Sequence, residues 1–98
     1  MEMAIRSFGD RTTEQFFFTG HMKKGVGWAS VRNIARRKLD MLHYAALVTD
    51  LRSPPGNRFE RLSGKLGEYF SIRINDQWRI IFQWSAAGPA AVKIVDYH

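Results

Sequence analysis

Between Gly67 and His98 apolar and polar residues alternate with a period of two, the mark of strands with one face buried. Phe70, Ile72 and Ile74 fall on one side of a first strand, with Tyr69, Ser71 and Arg73 on the other. In a second strand Trp78, Ile80, Phe82 and Trp84 alternate with Arg79, Ile81 and Gln83. A three-residue loop at Asn75-Asp76-Gln77 pairs Ile74 with Trp78, Ile72 with Ile80 and Phe70 with Phe82. A two-residue loop would set Ile72 against Arg79 and mix the faces, so the longer loop is expected. A loose connection at Gly88-Pro89 then leads into a last strand ending in Asp96-Tyr97-His98. The polar face carries Arg73 across from Arg79, and like charges in that position repel unless something anionic lies between them.

Upstream the period changes. Ala4 to Phe8 is a short, weakly patterned strand, and a helix is expected from Thr13 to Thr19. Thr12 and Gln15 have capping-box spacing, and Gly20 stops the helix. Phe16, Phe17 and Phe18 cannot all face one way on it, so at least one is expected at the surface or under a partner. After the basic, glycine-containing segment His21 to Gly27, a longer helix runs from Trp28 or Ser30 to Leu47. Its apolar stripe is Val31, Ile34, Ala35, Leu39, Leu42 and Ala46. Arg32, Arg36 and Arg37 lie opposite, Lys38 at the border, and His43 at the surface or boundary. A basic face of this kind can grip phosphates, although a solvated face is its commoner use.

Pro54, Pro55 and Gly56 end the helical pattern. Arg58 to Leu62 reads as a short strand with Phe59 facing in and Arg58 and Glu60 facing out, and Ser63 to Gly67 turns into the hairpin. The order is β-α-α-β-β-β-β. It predicts an α+β domain over residues 1–98, two N-terminal helices packed on one face of a small, mostly antiparallel sheet.

Composition narrows the chemistry. With 45% apolar and 13% aromatic residues the chain is globular, and 98 residues suit one core. It has no cysteine, and its three histidines are scattered at 21, 43 and 98, so neither a disulfide framework nor a metal centre is expected. No apolar run approaches the roughly 18 residues of a membrane span, and the start lacks a signal-peptide pattern, which points to the cytoplasm. Fifteen Lys and Arg against nine Asp and Glu give a formal charge of +6. That excess favours a polyanion or an acidic protein as partner.

Four segments together resemble a known family: Leu51 to Glu60, Leu62-Ser63-Gly64, Tyr69 to Ile80, and Val95-Asp96-Tyr97-His98. The chain resembles the HigB toxins of the RelE/ParE superfamily, also called plasmid-maintenance killer proteins. The Asn75-Asp76-Gln77-Trp78-Arg79 run and the terminal Asp96-Tyr97-His98 are the specific parts. The resemblance implies a RelE-like fold and a type II toxin that cleaves mRNA in the ribosomal A site. It also implies neutralisation by a HigA antitoxin with a helix-turn-helix domain, through which operator DNA is bound. The family's site arginine falls on Arg79, and its terminal acid, aromatic and imidazole fall on Asp96, Tyr97 and His98. Well-described members place a histidine and a lysine where this chain has Glu60 and Ser63, so the base must be found elsewhere or at Glu60 itself.

Metal-free RNA cleavage needs a base for the 2′-hydroxyl proton, cations for the phosphorane and an acid for the departing 5′ oxygen. Arg79 across from Arg73 offers planar donors for phosphate oxygens. His98 titrates near neutrality and suits acid or base, Glu60 is a further base, and Asp96 can orient a cation. Tyr97 suits stacking on a nucleobase or bonding the phosphate. Lys65 and Arg58 are backbone contacts, joined by Arg36 and Arg37 on the helix. As a strand residue on the polar face, Arg79 is expected to contribute little to stability. No cofactor is called for. The competing reading is a ParE-like toxin that poisons DNA gyrase by binding, without catalysis.

Overall fold

Asp10, and not Thr12, starts the first helix: its Oδ1 accepts from the Thr13 N–H at 2.7 Å. In this computed structural model, which describes residues 4–97, helix α1 spans Arg11–Thr19. It ends at Gly20, whose positive φ of 76° is open to glycine and whose N–H returns to the Phe16 carbonyl. Phe16 is buried, Phe17 half-buried and Phe18 68% exposed, so the triple phenylalanine divides between core and surface as its spacing requires.

A 3₁₀ turn at Ala29–Val31 leads into α2, Arg32–Tyr44. The helix stops three residues before Leu47, because Ala45 is extended and already buried, and further 3₁₀ turns at Val48–Arg52 and Pro55–Asn57 follow. The strands are β1 Glu60–Arg61, β2 Phe70–Arg73, β3 Trp78–Ser85 and β4 Gly88–Asp96. They form one antiparallel sheet in the order β1-β2-β3-β4. The register of β2 on β3 is Phe70 with Phe82, Ile72 with Ile80 and Arg73 with Arg79, as the three-residue loop predicts. Asn75 Oδ1 accepts from the N–H groups of Gln77 and Trp78 and holds that loop shut.

Three expected elements shrink. The strand expected from Arg58 to Leu62 keeps only Glu60–Arg61, because Arg58 takes a left-handed backbone at the end of the preceding turn. Gly88 and Pro89 open β4 instead of forming a loop, and the turn is the pair Ala86-Ala87. The strand expected at Ala4 to Phe8 reduces to one parallel bridge, Phe8 with Val92. The cause is a bulge in β4. Between Ile81 and Gln83 the register slips by one residue, and Ala91 takes a φ of 52°. Ser7 serves both displaced amides, its Oγ accepting from Ala91 N–H at 2.9 Å and its carbonyl from Val92 N–H at 3.2 Å.

Phe16, Trp28, Ala35, Leu39 and Leu42 of the helical layer share one core with Ile72, Ile80, Phe82, Val92 and Ile94 of the sheet. Lys38 joins this face and is only 7% exposed, so it does not sit at the border of the stripe. Its ammonium donates to Oδ1 of Asn57, itself fully buried. Asn57 Nδ2 donates in turn to the Leu51 and Ser53 carbonyls at 3.1 and 3.4 Å. Burial, reinforced by Arg37 and Arg73, lowers the Lys38 pKa below that of an ordinary lysine.

Ala91→Gly is expected to stabilise the fold by about 0.5–1 kcal/mol in urea unfolding, because glycine carries no Cβ penalty at positive φ. Lys38 binds its proton less readily in the folded than in the unfolded chain. Stability should therefore climb with pH as the folded-state pKa is passed, until the unfolded value near about 10.4 is reached. Lys38→Met should flatten that part of the profile.

Candidate functional site

The side chains of Glu60, Ser71, Arg73, Arg79 and Ile81 share the sheet face opposite the helices, because Ser71 pairs with both Glu60 and Ile81 and Arg73 pairs with Arg79. Tyr97 extends β4 by one residue beyond Asp96, and its N–H donates to the Gln77 carbonyl at 2.7 Å. This face gathers a compact polar cluster.

At its centre is Arg79, with a side chain only 8% exposed. One terminal nitrogen donates to the Arg58 carbonyl at 2.6 Å, and the other lies 3.7 Å from Glu60 Oε1. The Tyr97 ring covers the guanidinium at 4.8 Å, a cation–π distance, while its hydroxyl donates to the same Glu60 Oε1 at 3.0 Å. Arg79, Glu60 and Tyr97 thus form a closed triangle. Burial lowers the Arg79 pKa, and Glu60 opposes that shift. The hydrogen bond to Glu60 raises the Tyr97 pKa, because it stabilises the neutral phenol.

The expected partner of Arg79 behaves differently. Arg73 turns to Asp76 in the hairpin loop and forms an ion pair there. The repulsion anticipated between the two arginines is relieved by giving each its own carboxylate, Asp76 for one and Glu60 for the other. Arg58 holds a left-handed conformation at φ 44° and ψ 50°, which aims its carbonyl at Arg79. Asp96 accepts from Gln77 Nε2 at 3.0 Å at the end of the sheet. Lys65 is exposed on a 3₁₀ turn, Gly64–Leu66. Arg36 lies on the outer side of α2, 3.7 Å from Asp40 and over the Phe17 ring, and Arg37 is exposed beside it. His98 lies outside the described residues.

The expectation that Arg79 contributes little to stability fails, because its guanidinium is buried and hydrogen-bonded. Sequence reasoning also missed Ser71. It is fully buried, and its Oγ, like Arg79 Nε, has no hydrogen-bond partner among the described residues. A serine on the polar face of a strand reads as solvated, and nothing in its neighbours signals that this face is covered too. Lys38 and Asn57 escaped for a similar reason, since a lysine beside an arginine pair and an asparagine after Pro-Pro-Gly both look like surface residues.

Comparison with known proteins gives three findings. Residues 6–98 match the family described as the RelE-like toxin HigB of type II toxin–antitoxin systems. The chain is 46% identical over 91 residues to Toxin HigB-1 of Vibrio cholerae serotype O1, covering 93% of this chain and 94% of that protein. It is also 39% identical over 56 residues to an uncharacterized protein of Haemophilus influenzae, covering 57% and 55% of the two chains.

Arg79→Ala should cost about 1–3 kcal/mol in urea unfolding, since it empties a buried side-chain site and strips the part-buried Arg58 carbonyl of its donor. Ultraviolet difference titration against Tyr97→Phe should find a phenol ionising above the free value of about 10. Glu60→Gln should bring that ionisation back down, because the charged acceptor is gone. A Tyr97 titration unmoved by Glu60→Gln would show that the hydrogen bond is not made in solution.

Proposed function

The chain belongs to the RelE-like HigB toxins of type II toxin–antitoxin systems, and from that premise we propose that it is a ribosome-dependent mRNA endonuclease held in check by a HigA-type antitoxin. The observation that carries this reading is the triangle of Arg79, Glu60 and Tyr97 on one sheet face. It unites a buried cation, a half-exposed carboxylate and a phenol in the space of one phosphodiester.

Glu60 stands where the family's histidine would, and it takes the base's role. Its Oε1 is engaged by Tyr97 and Arg79, which leaves Oε2 to receive the proton of the 2′-hydroxyl. The freed 2′ oxygen attacks phosphorus, and the bond to the 5′ oxygen breaks. The Arg79 guanidinium neutralises charge on the phosphorane, with an effect enlarged by its dry setting. His98 returns a proton to the departing 5′ oxygen. Products are a 2′,3′-cyclic phosphate and a 5′-hydroxyl, with one proton taken and one given. Tyr97 keeps its proton at neutral pH, holds Glu60 in place and offers its ring to a nucleobase. Arg58, Lys65, Arg73, Arg36 and Arg37 supply charge toward the mRNA backbone and the ribosome, and Asp96 steadies the end of the sheet. The antitoxin, through its helix-turn-helix domain, links the toxin to operator DNA.

Primer extension on a defined message in a purified translation system tests this. Wild-type protein should give codon-phased breaks that require the ribosome, and Glu60→Gln should weaken them by roughly 10²–10⁴-fold, the usual worth of a general base. Inhibition of gyrase supercoiling, with an intact message, would overturn the reading in favour of the ParE mode of action.

A further inference from the structure

Around the β1 edge from the triangle, where Arg61 and Phe70 face the core side of the sheet, the surface opens into a groove of about 470 Å³, bounded by Arg52, Pro55, Arg58, Phe59, Glu60, Arg61 and Phe70. Its size falls within the roughly 300–1,000 Å³ of small-ligand sites. Three of its lining residues are arginines, and none of the three forms an ion pair among the described residues. Arg61 is braced, with its Nε donating to the Gly67 carbonyl at 3.2 Å and its guanidinium over the Phe70 ring at 5.8 Å. Phe59 stacks on Phe70 with centroids 5.5 Å apart and planes 10° from parallel, and both rings are half-exposed. Arg58 joins groove and triangle: it lines the one, and its carbonyl, presented by a left-handed backbone uncommon outside glycine, anchors the other. Glu60 belongs to both.

We propose that this groove is a subsite for single-stranded RNA, holding the nucleotide next to the scissile phosphate, with Arg52 and Arg61 on the flanking phosphates and the Phe59–Phe70 pair against the base. Two features decide for RNA over an acidic peptide. Unpaired guanidinium groups around aromatic rings are the combination that binds single strands, phosphate to cation and base to ring. The groove also shares Glu60 with the triangle, so it adjoins the place a phosphate at Arg79 would occupy. The proposal rests on the nuclease reading for its biological meaning, but binding can be measured without cleavage.

The probe is a short RNA in which every 2′-hydroxyl is methylated, so no attacking oxygen exists. Its affinity for the full chain is followed by fluorescence anisotropy over a range of salt. Arg52→Gln combined with Arg61→Gln should weaken binding about tenfold or more and lower the slope of log K against log salt by roughly 1.4, about 0.7 for each lost phosphate contact on a single strand. Lys23→Gln with Lys24→Gln removes the same charge outside the groove and should change the slope far less. Because Arg61 is hydrogen-bonded, Arg52→Gln alone is measured as well, with about half the slope change expected, and thermal unfolding checks that each variant folds. Equal effects from the two double variants, or an acidic peptide displaced while the RNA is untouched, would overturn the proposal. Groove-dependent binding by a protein that cuts no message would sink the catalytic reading and leave the groove standing.

Discussion

A lysine ammonium in the interior, held by one asparagine, is the contact on which the rest depends. Lys38 comes from the middle of α2, and Asn57 comes from the irregular stretch that the two prolines create. The amide answers the cation with its oxygen and ties down the Leu51 and Ser53 carbonyls with its nitrogen, so one side chain links α2 to the stretch before the prolines, which has no ladder of its own. Removing either partner would strand a buried charge or a buried amide, which is far dearer than the net worth of the bond. Arg58 follows Asn57 directly. Its left-handed backbone turns the carbonyl that receives Arg79 toward the sheet.

Charge distribution follows the same logic. Two arginines face each other across β2 and β3, and each is drawn off by a different acid. Asp76 is fully solvated and holds Arg73 at the loop, whereas the half-exposed Glu60 and the Tyr97 ring share the buried guanidinium of Arg79. A guanidinium so enclosed has little freedom to lose when it meets a phosphate. Preorganisation of this kind is where electrostatic catalysis draws its strength.

How much of this was written legibly in the chain depends on period and locality. The hairpin register could be read because apolar residues at alternate positions fix both the faces and the loop length. Arg73 and Arg79 could be placed on one face by parity, whereas Glu60 and Tyr97 were legible only as site candidates and not as members of that face. The bulge at Ala91 could not, since alanine gives no hint of a positive φ, and with it went the strand expected at Ala4 to Phe8. Asp10 displaced Thr12 as the cap because the two types compete on nearly equal terms two residues apart. Burial of Ser71 and Lys38 depends on what lies above them from distant parts of the chain, which no local pattern records.

The bulge has a consequence at the rim of the sheet. Where β4 faces outward, Pro89 accepts from Arg6, Ala91 and Val92 donate to Ser7, Val92 accepts from Gly9, and Ile94 N–H donates to Thr13 Oγ1 at 3.2 Å. At the opposite rim β1 is only two residues long, and both are charged. A sheet with a blunted rim on one side and a spent one on the other offers little template for a stray strand, so runaway stacking of copies into fibrils is disfavoured. Any protein that recognises this molecule must then do so chiefly through side chains and shape, and only marginally by lengthening its sheet.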